Sequence, residues 1–207
     1  FGTVDVPLVP SGYKESWFFN LSKEGDTAGH PALQDVNVRR AVVMAVDRDK
    51  ITKELLNGLT KPAITYWDAS PYADPTAPTI PFDPDGAKKL LDDAGWKAGS
   101  DGIREKDGTK LELKITSTSG NLLREQTEQV LAEMLKAVGI NLVIENVPSD
   151  VLFAGWSSDG LRKHGRFDIV LYTTGPYQDP DSHLFSNYHS TSIPTAENEG
   201  GGSNYSR

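Results

Sequence analysis

Residues 110–147 read KLELKITSTSGNLLREQTEQVLAEMLKAVGINLVIENV. Leu111, Leu113 and Ile115 alternate with Glu112, Lys114 and Thr116, the two-residue period of a strand with one face buried. The spacing then changes. Val130, Leu131, Met134, Leu135 and Val138 fall on one side of a helix predicted over 122–138, and Gly139 stands where a helix commonly stops. Residues 140–147 are a second strand. Strand, helix and strand form a βαβ unit, which predicts two parallel strands joined by a right-handed crossover. Just upstream, 102–105, Asp107-Gly108 and 110–117 read as a hairpin with a tight turn.

The flanks extend this pattern. Asp35 and Asp47 are capping residues for two successive helices, predicted over 36–45 and 48–57 from Val38, Ala41, Val42, Ala45 and Val46 and then Ile51, Leu55 and Leu56. Residues 59–81 hold five prolines and are predicted to be irregular. In 82–96, FDPDGAKKLLDDAGW, Asp83 caps and Pro84 suits the first helical position. Ala87, Leu90, Leu91 and Ala94 form its apolar face, Gly95 ends it, and Trp96 folds back on the end. Residues 16–20 and 167–173 are further strands, and Asp150 is expected to cap a helix carrying Val151, Leu152, Phe153 and Trp156. Val4, Val6 and Leu8 alternate near the start. The fold class is therefore α/β, a mixed sheet with flanking helices.

Composition narrows the function. The net charge is −8 and the basic residues are scattered, so no nucleic-acid surface is expected. No run approaches the roughly 18 apolar residues of a membrane span. Cysteine is absent, which removes disulfides, thiolate metal sites and cysteine nucleophiles. Phe1 opens in mid-pattern and SNYSR carries no stop signal, so the chain reads as part of a longer one.

No sequence motif argues for an enzyme: the phosphate loops, HExxH and GxSxG are missing. Asp179, Asp181, His183 and His189 could offer oxygen and imidazole ligands to a divalent ion, and the first three could serve a hydrolase. Asp-Pro-Asp more simply turns the chain and caps a helix, and no recognised ligand spacing is present. No metal or cofactor is expected. Asp92-Asp93 read as a solvated helix face. Tyr66, Trp67, Tyr172 and Tyr177 lie in loops or at a strand end, where aromatics either line ligand pockets or pack. Trp17, Phe153 and Trp156 fall in apolar patterns and read as core.

Several stretches together resemble the family-5 extracellular solute-binding proteins, the peptide-binding subunits of ABC importers. They are Leu33-Gln34-Asp35-Val36-Asn37-Val38-Arg39-Arg40-Ala41, Ala45-Val46-Asp47-Arg48, the 82–96 helix, Asp101-Gly102-Ile103-Arg104 with Asp107-Gly108, Leu135 to Ile140, Gly165-Arg166-Phe167-Asp168 and Asp179-Pro180. Their order and spacing cover about residues 17–205. The resemblance implies one lobe of a type II (cluster C) periplasmic-binding-protein-like fold. Residues 1–207 would form a single second lobe, with 59–81 a Pro-rich irregular segment inside it. The implied partners are a small solute, peptide or oligosaccharide, the missing first lobe of the same chain, and the ABC permease, in an extracytoplasmic setting. The implied cleft residues are Tyr66, Trp67, Tyr172, Thr173, Thr174, Tyr177 and Asp179. Two anchors of known peptide binders are unmatched. Pro176 stands where an aspartate takes the peptide amino terminus, and Thr116–Asn121 lacks the arginine that takes the carboxylate of dipeptides.

Overall fold

The computed structural model describes residues 7, 9, 11–23, 28–175 and 179–206; Val4, Val6, Leu8, Pro176 and Tyr177 lie outside the described residues. Four strands make the main sheet: β1 (Lys14–Phe19), β5 (Glu112–Thr116), β6 (Asn141–Ile144) and β7 (Ile169–Thr174). Their order is β1-β7-β5-β6. β5 runs parallel to β6 and to β7, and β1 closes the edge antiparallel to β7. The sheet is mixed, and the predicted βαβ unit is β5, α4 (Leu122–Lys136) and β6. A second, three-stranded sheet joins β2 (Lys97–Ala98), β3 (Arg104–Lys106) and β4 (Thr109–Lys110). The predicted hairpin is therefore correct at its turn but not along its length. After Leu111, whose N–H still donates to the Arg104 carbonyl, the chain leaves β3, and Glu112–Thr116 pairs with β6 and β7 instead.

β7 is buried on both faces, as expected of a central strand in a largely parallel sheet. Ile169 and Leu171 point into the larger core with Leu113, Ile115, Leu131, Leu135 and Ile140. That core is roofed by α1 (Val36–Met44), α2 (Arg48–Leu55), α3 (Pro84–Asp93) and α4. Val170 and Tyr172 point the other way, to Leu152, Phe167 and Tyr205. This second face is covered by α5 (Ser149–Leu152), α6 (Leu161–His164) and the chain's last residues.

The helix ends follow the expected chemistry. Asp35, Asp47, Asp83 and Asn121 each accept a backbone N–H at the start of α1, α2, α3 and α4. Trp96 is buried and its N–H returns to the carbonyl of Leu91, closing α3. α5 departs from expectation: Pro148, not Asp150, is its N-cap, and Trp156 falls in a separate 3-10 turn stacked on His164. Residues 59–81 contain no helix or strand.

One buried charge ties the helical layer to the small sheet. The Arg104 guanidinium donates to the carbonyls of Val138 (2.9 Å) and Trp96 (2.7 Å) and to Asp92 (2.7 Å). Arg104 is therefore a staple between the ends of α3 and α4, and Asp92 is its counterion rather than an idle surface carboxylate. Gly139 is required beside it for two reasons. Its φ is +87°, and a Cβ there would lie 2.8 Å from Cγ of Arg104.

Candidate functional site

In an open α/β sheet, ligands bind outside the carboxyl ends of the strands, where the connections diverge. Here that point lies between β5, whose chain leaves through α4, and β7, whose chain leaves toward α7 (Pro180–Tyr188).

On the α4 side the strand ends are locked by a polar network. Arg124, in the first turn of α4, reaches Glu15 at 2.7 Å, Thr118 Oγ1 at 2.6 Å and Thr173 Oγ1 at 2.7 Å. Thr173 also donates to Glu15. The 116–121 loop holds no arginine, but Arg124, a few residues on, places its guanidinium over that loop already neutralised by Glu15. Beneath it, the Ser117 N–H donates to Asn146 Oδ1 and the Ser117 hydroxyl to the Leu171 carbonyl. Asn146 Nδ2 donates to Glu128 Oε2 at 2.5 Å. Glu128 is fully buried, and its Oε1 has no hydrogen-bond partner among the described residues. Burial pushes its pKa up, so the carboxyl holds its proton to higher pH than an ordinary glutamate.

On the other face of β7 lies a cavity of about 440 Å³, lined by Arg162, Tyr172, Thr173, Thr174 and Gly175, by Ser182, Ser186 and Asn187 of α7, and by Ser203. Hydroxyls, one amide and one guanidinium face the space. The guanidinium of Arg162 lies over the rings of Phe153 and Tyr172, at 5.5 and 5.4 Å from their centroids. Its Nη1 donates to Ser203 Oγ at 3.1 Å and to the Tyr205 hydroxyl at 3.2 Å. Phe153, expected in the core, is 40% exposed and meets Tyr172 edge-on.

Of the sequence-predicted residues, Tyr172, Thr173 and Thr174 come together in this cavity. Tyr66 and Trp67 do not line it. Their rings pack on His183, at 4.2 and 5.8 Å, one turn of α7 from the cavity-lining Asn187. Asp179 is the N-cap of α7, accepting from the Asp181 N–H, which is the turn-and-cap use of Asp-Pro-Asp. His183 is fully buried, which pushes its pKa down and keeps the imidazole neutral. Among the described residues no three His, Asp or Glu side chains are grouped to hold a metal. The sequence reading missed Arg162, Ser182, Ser186, Asn187 and Ser203. They come from three separate segments, and nothing in their local spacing connects them.

A lobe of this topology, with a polar cavity at the strand ends, belongs to the type II periplasmic-binding-protein-like class. Residues 2–195 match the model of the bacterial extracellular solute-binding proteins, family 5 Middle, and the chain belongs to that family. The chain is similar to the oligopeptide-binding protein AppA of Bacillus subtilis, 32% identical over 144 residues that cover 60% of this chain and 26% of that protein. Among solved structures it is similar to the oligopeptide-binding protein of Thermus thermophilus complexed with a pentapeptide. There the TM-score is 0.82 at 28% identity, over 96% of this chain and 35% of that one. It is likewise similar to NikZ of Campylobacter jejuni in complex with Ni(L-His). There the TM-score is 0.75 at 27% identity, over 95% of this chain and 36% of that one. The chain thus spans about a quarter to a third of the length of the relatives it matches. These relatives are binding proteins rather than enzymes. No helix among the described residues is long and apolar enough to cross a membrane.

Proposed function

We propose that this chain is the second lobe of an extracytoplasmic peptide receptor that serves an ABC importer. A first lobe would complete the cleft, and ligand would sit against the cavity at the carboxyl end of β7. The observation that carries the reading is the lining itself: hydroxyls and an amide with one guanidinium, at the sheet's divergence point, beside rigid strands. Such a surface holds a polar solute by hydrogen bonds and supplies no nucleophile–base pair. The peptide-binding relatives support peptide as the solute. The mechanism is capture without chemistry. Ligand that touches both lobes favours the closed state by its differential affinity, and the closed form docks on the permease.

The test is calorimetric titration of the two-lobed protein with pentapeptides, mannohexaose and nickel–histidine. Micromolar or tighter binding of pentapeptides is expected. Binding of the sugar or the chelate with no response to any peptide refutes the peptide reading. The lobe alone is expected to bind far more weakly, because half of the contacts are missing.

A further inference from the structure

Arg162 is the unusual charge of this lobe. Arg104, Arg124 and Arg166 each hold a carboxylate, at 2.7, 2.7 and 2.6 Å, and Arg39 and Arg48, which hold none among the described residues, donate to backbone carbonyls instead. Among the described residues no carboxylate lies within ion-pair distance of Arg162. Its Nε is buried without a hydrogen-bond partner, and its charge is held instead against two aromatic faces. Lys163 stands next to it and spends its ammonium on the carbonyl of Gly202. Burial first, and the neighbouring Arg162 charge second, lower the Lys163 pKa. This occurs in a chain of net charge −8, where carboxylates are plentiful elsewhere.

A packing role alone explains this arrangement poorly. The stem and plane of Arg162 do cover Tyr172 and Phe153, but a methionine would cover them without burying a cation. A half-buried guanidinium without a counterion is costly, and it is tolerated where a ligand supplies the missing charge. The surroundings suit that use. Ser186 and Ser203 place hydroxyl donors around the same space, beside Thr174 and Ser182, whose hydroxyls donate to the carbonyls of Lys14 and Asp179, and a carboxylate accepts from hydroxyl and guanidinium alike. Thr173, which also lines the space, and Arg124 on the other face of β7 are already committed to Glu15.

We infer that the cavity takes a carboxylate of the bound solute, with Arg162 as its anchor and the Ser186 and Ser203 hydroxyls as its orienting donors. The inference rests on the reading of the chain as a peptide-receptor lobe and specifies the chemistry of that site. Two sources of the carboxylate are open to a peptide, its C-terminus and an acidic side chain, and the test separates them.

Four pentapeptides are titrated into the two-lobed protein: a free acid with neutral side chains, its C-terminal amide, and two amides carrying central Glu or Gln. The wild type is expected to prefer either the acid over its amide or the Glu amide over the Gln amide by about 10- to 100-fold, the value of a charge-assisted contact. The preferred pair names the source. In Arg162→Gln the ratio within the preferred pair falls to near one, whatever happens to the affinity common to both members; Arg162→Lys retains part of the preference. Equal affinity within both pairs in the wild type, or a preference undiminished in Arg162→Gln, overturns the carboxylate anchor and leaves the peptide reading standing. Failure of all four peptides overturns both. Should Arg162→Gln not fold, as judged by its melting curve, the wild-type pairs and Arg162→Lys decide the matter.

Discussion

Replacing Arg104 by methionine keeps a long stem in the same space and removes every donor. The guanidinium reaches the carbonyls of Val138 and Trp96 at 2.9 and 2.7 Å in the buried seam between the ends of α3 and α4. Neither carbonyl gains another protein donor when the guanidinium is lost. Each buried carbonyl left without a donor costs about 1–3 kcal/mol. Asp92 is half exposed and is resolvated, so it adds little. The two carbonyls give a loss of roughly 2–6 kcal/mol, a large share of the 5–15 kcal/mol that holds a typical domain. With a urea slope of about 2 kcal/mol/M, the unfolding midpoint is expected to fall by about 1–3 M. Arg104→Lys keeps the charge but cannot span both carbonyls, and falls between. The assay is urea unfolding followed by far-UV circular dichroism and tryptophan fluorescence, with Trp96 at the centre of the seam. A loss below about 1 kcal/mol for Arg104→Met would refute the staple, because even one orphaned buried carbonyl costs about that much or more.

Three further outcomes follow from the same geometry. Gly139→Ala is expected to cost more than about 1 kcal/mol in the same urea assay, since φ is +87° and the new Cβ meets Arg104; a neutral result would mean that the turn is not left-handed. Asp83→Ala removes the carboxylate that accepts the Gly86 N–H at 2.8 Å, and a loss of about 1 kcal/mol is expected, with Asp83→Asn near wild type. Glu128→Gln tests the buried carboxyl by pH. Its folded pKa is raised, so the favourable contribution of Glu128 is complete below the ordinary glutamate range and is lost as pH climbs through the raised value. Relative to Glu128→Gln, the wild type should therefore lose stability as pH rises above the ordinary glutamate range; a difference that stays flat there would show that Glu128 ionises normally.

Much of the architecture was legible because it depends on local rules. The alternation of Leu111, Leu113 and Ile115, the stripe through Leu131 and Leu135, and the stop at Gly139 specify a βαβ unit by periodicity and backbone preference alone. Aspartates at 35, 47 and 83 cap helices because a short carboxylate satisfies the first N–H groups wherever it precedes an apolar periodic run. The family was legible for the same reason, since its motifs are these caps, turns and faces in a fixed order.

What tertiary structure decided was pairing at a distance. No local signal says that Glu112–Thr116 takes β7 as its second neighbour in place of its hairpin partner, or that β1 closes the sheet edge. Nor does any spacing reveal that Asp92 serves Arg104 or that Arg124 serves Glu15, whose separation along the chain is 109 residues. The candidate site is the extreme case. Tyr172 to Thr174 could be chosen from sequence because a strand end in this fold is a known place for ligand, but Arg162, Ser186 and Ser203 enter only when α6, α7 and the last residues converge on β7. Periodicity reports which face of an element is buried. It carries no record of which distant side chains meet there, and that meeting determines where this lobe keeps a guanidinium unpaired beside an open, hydroxyl-lined cavity.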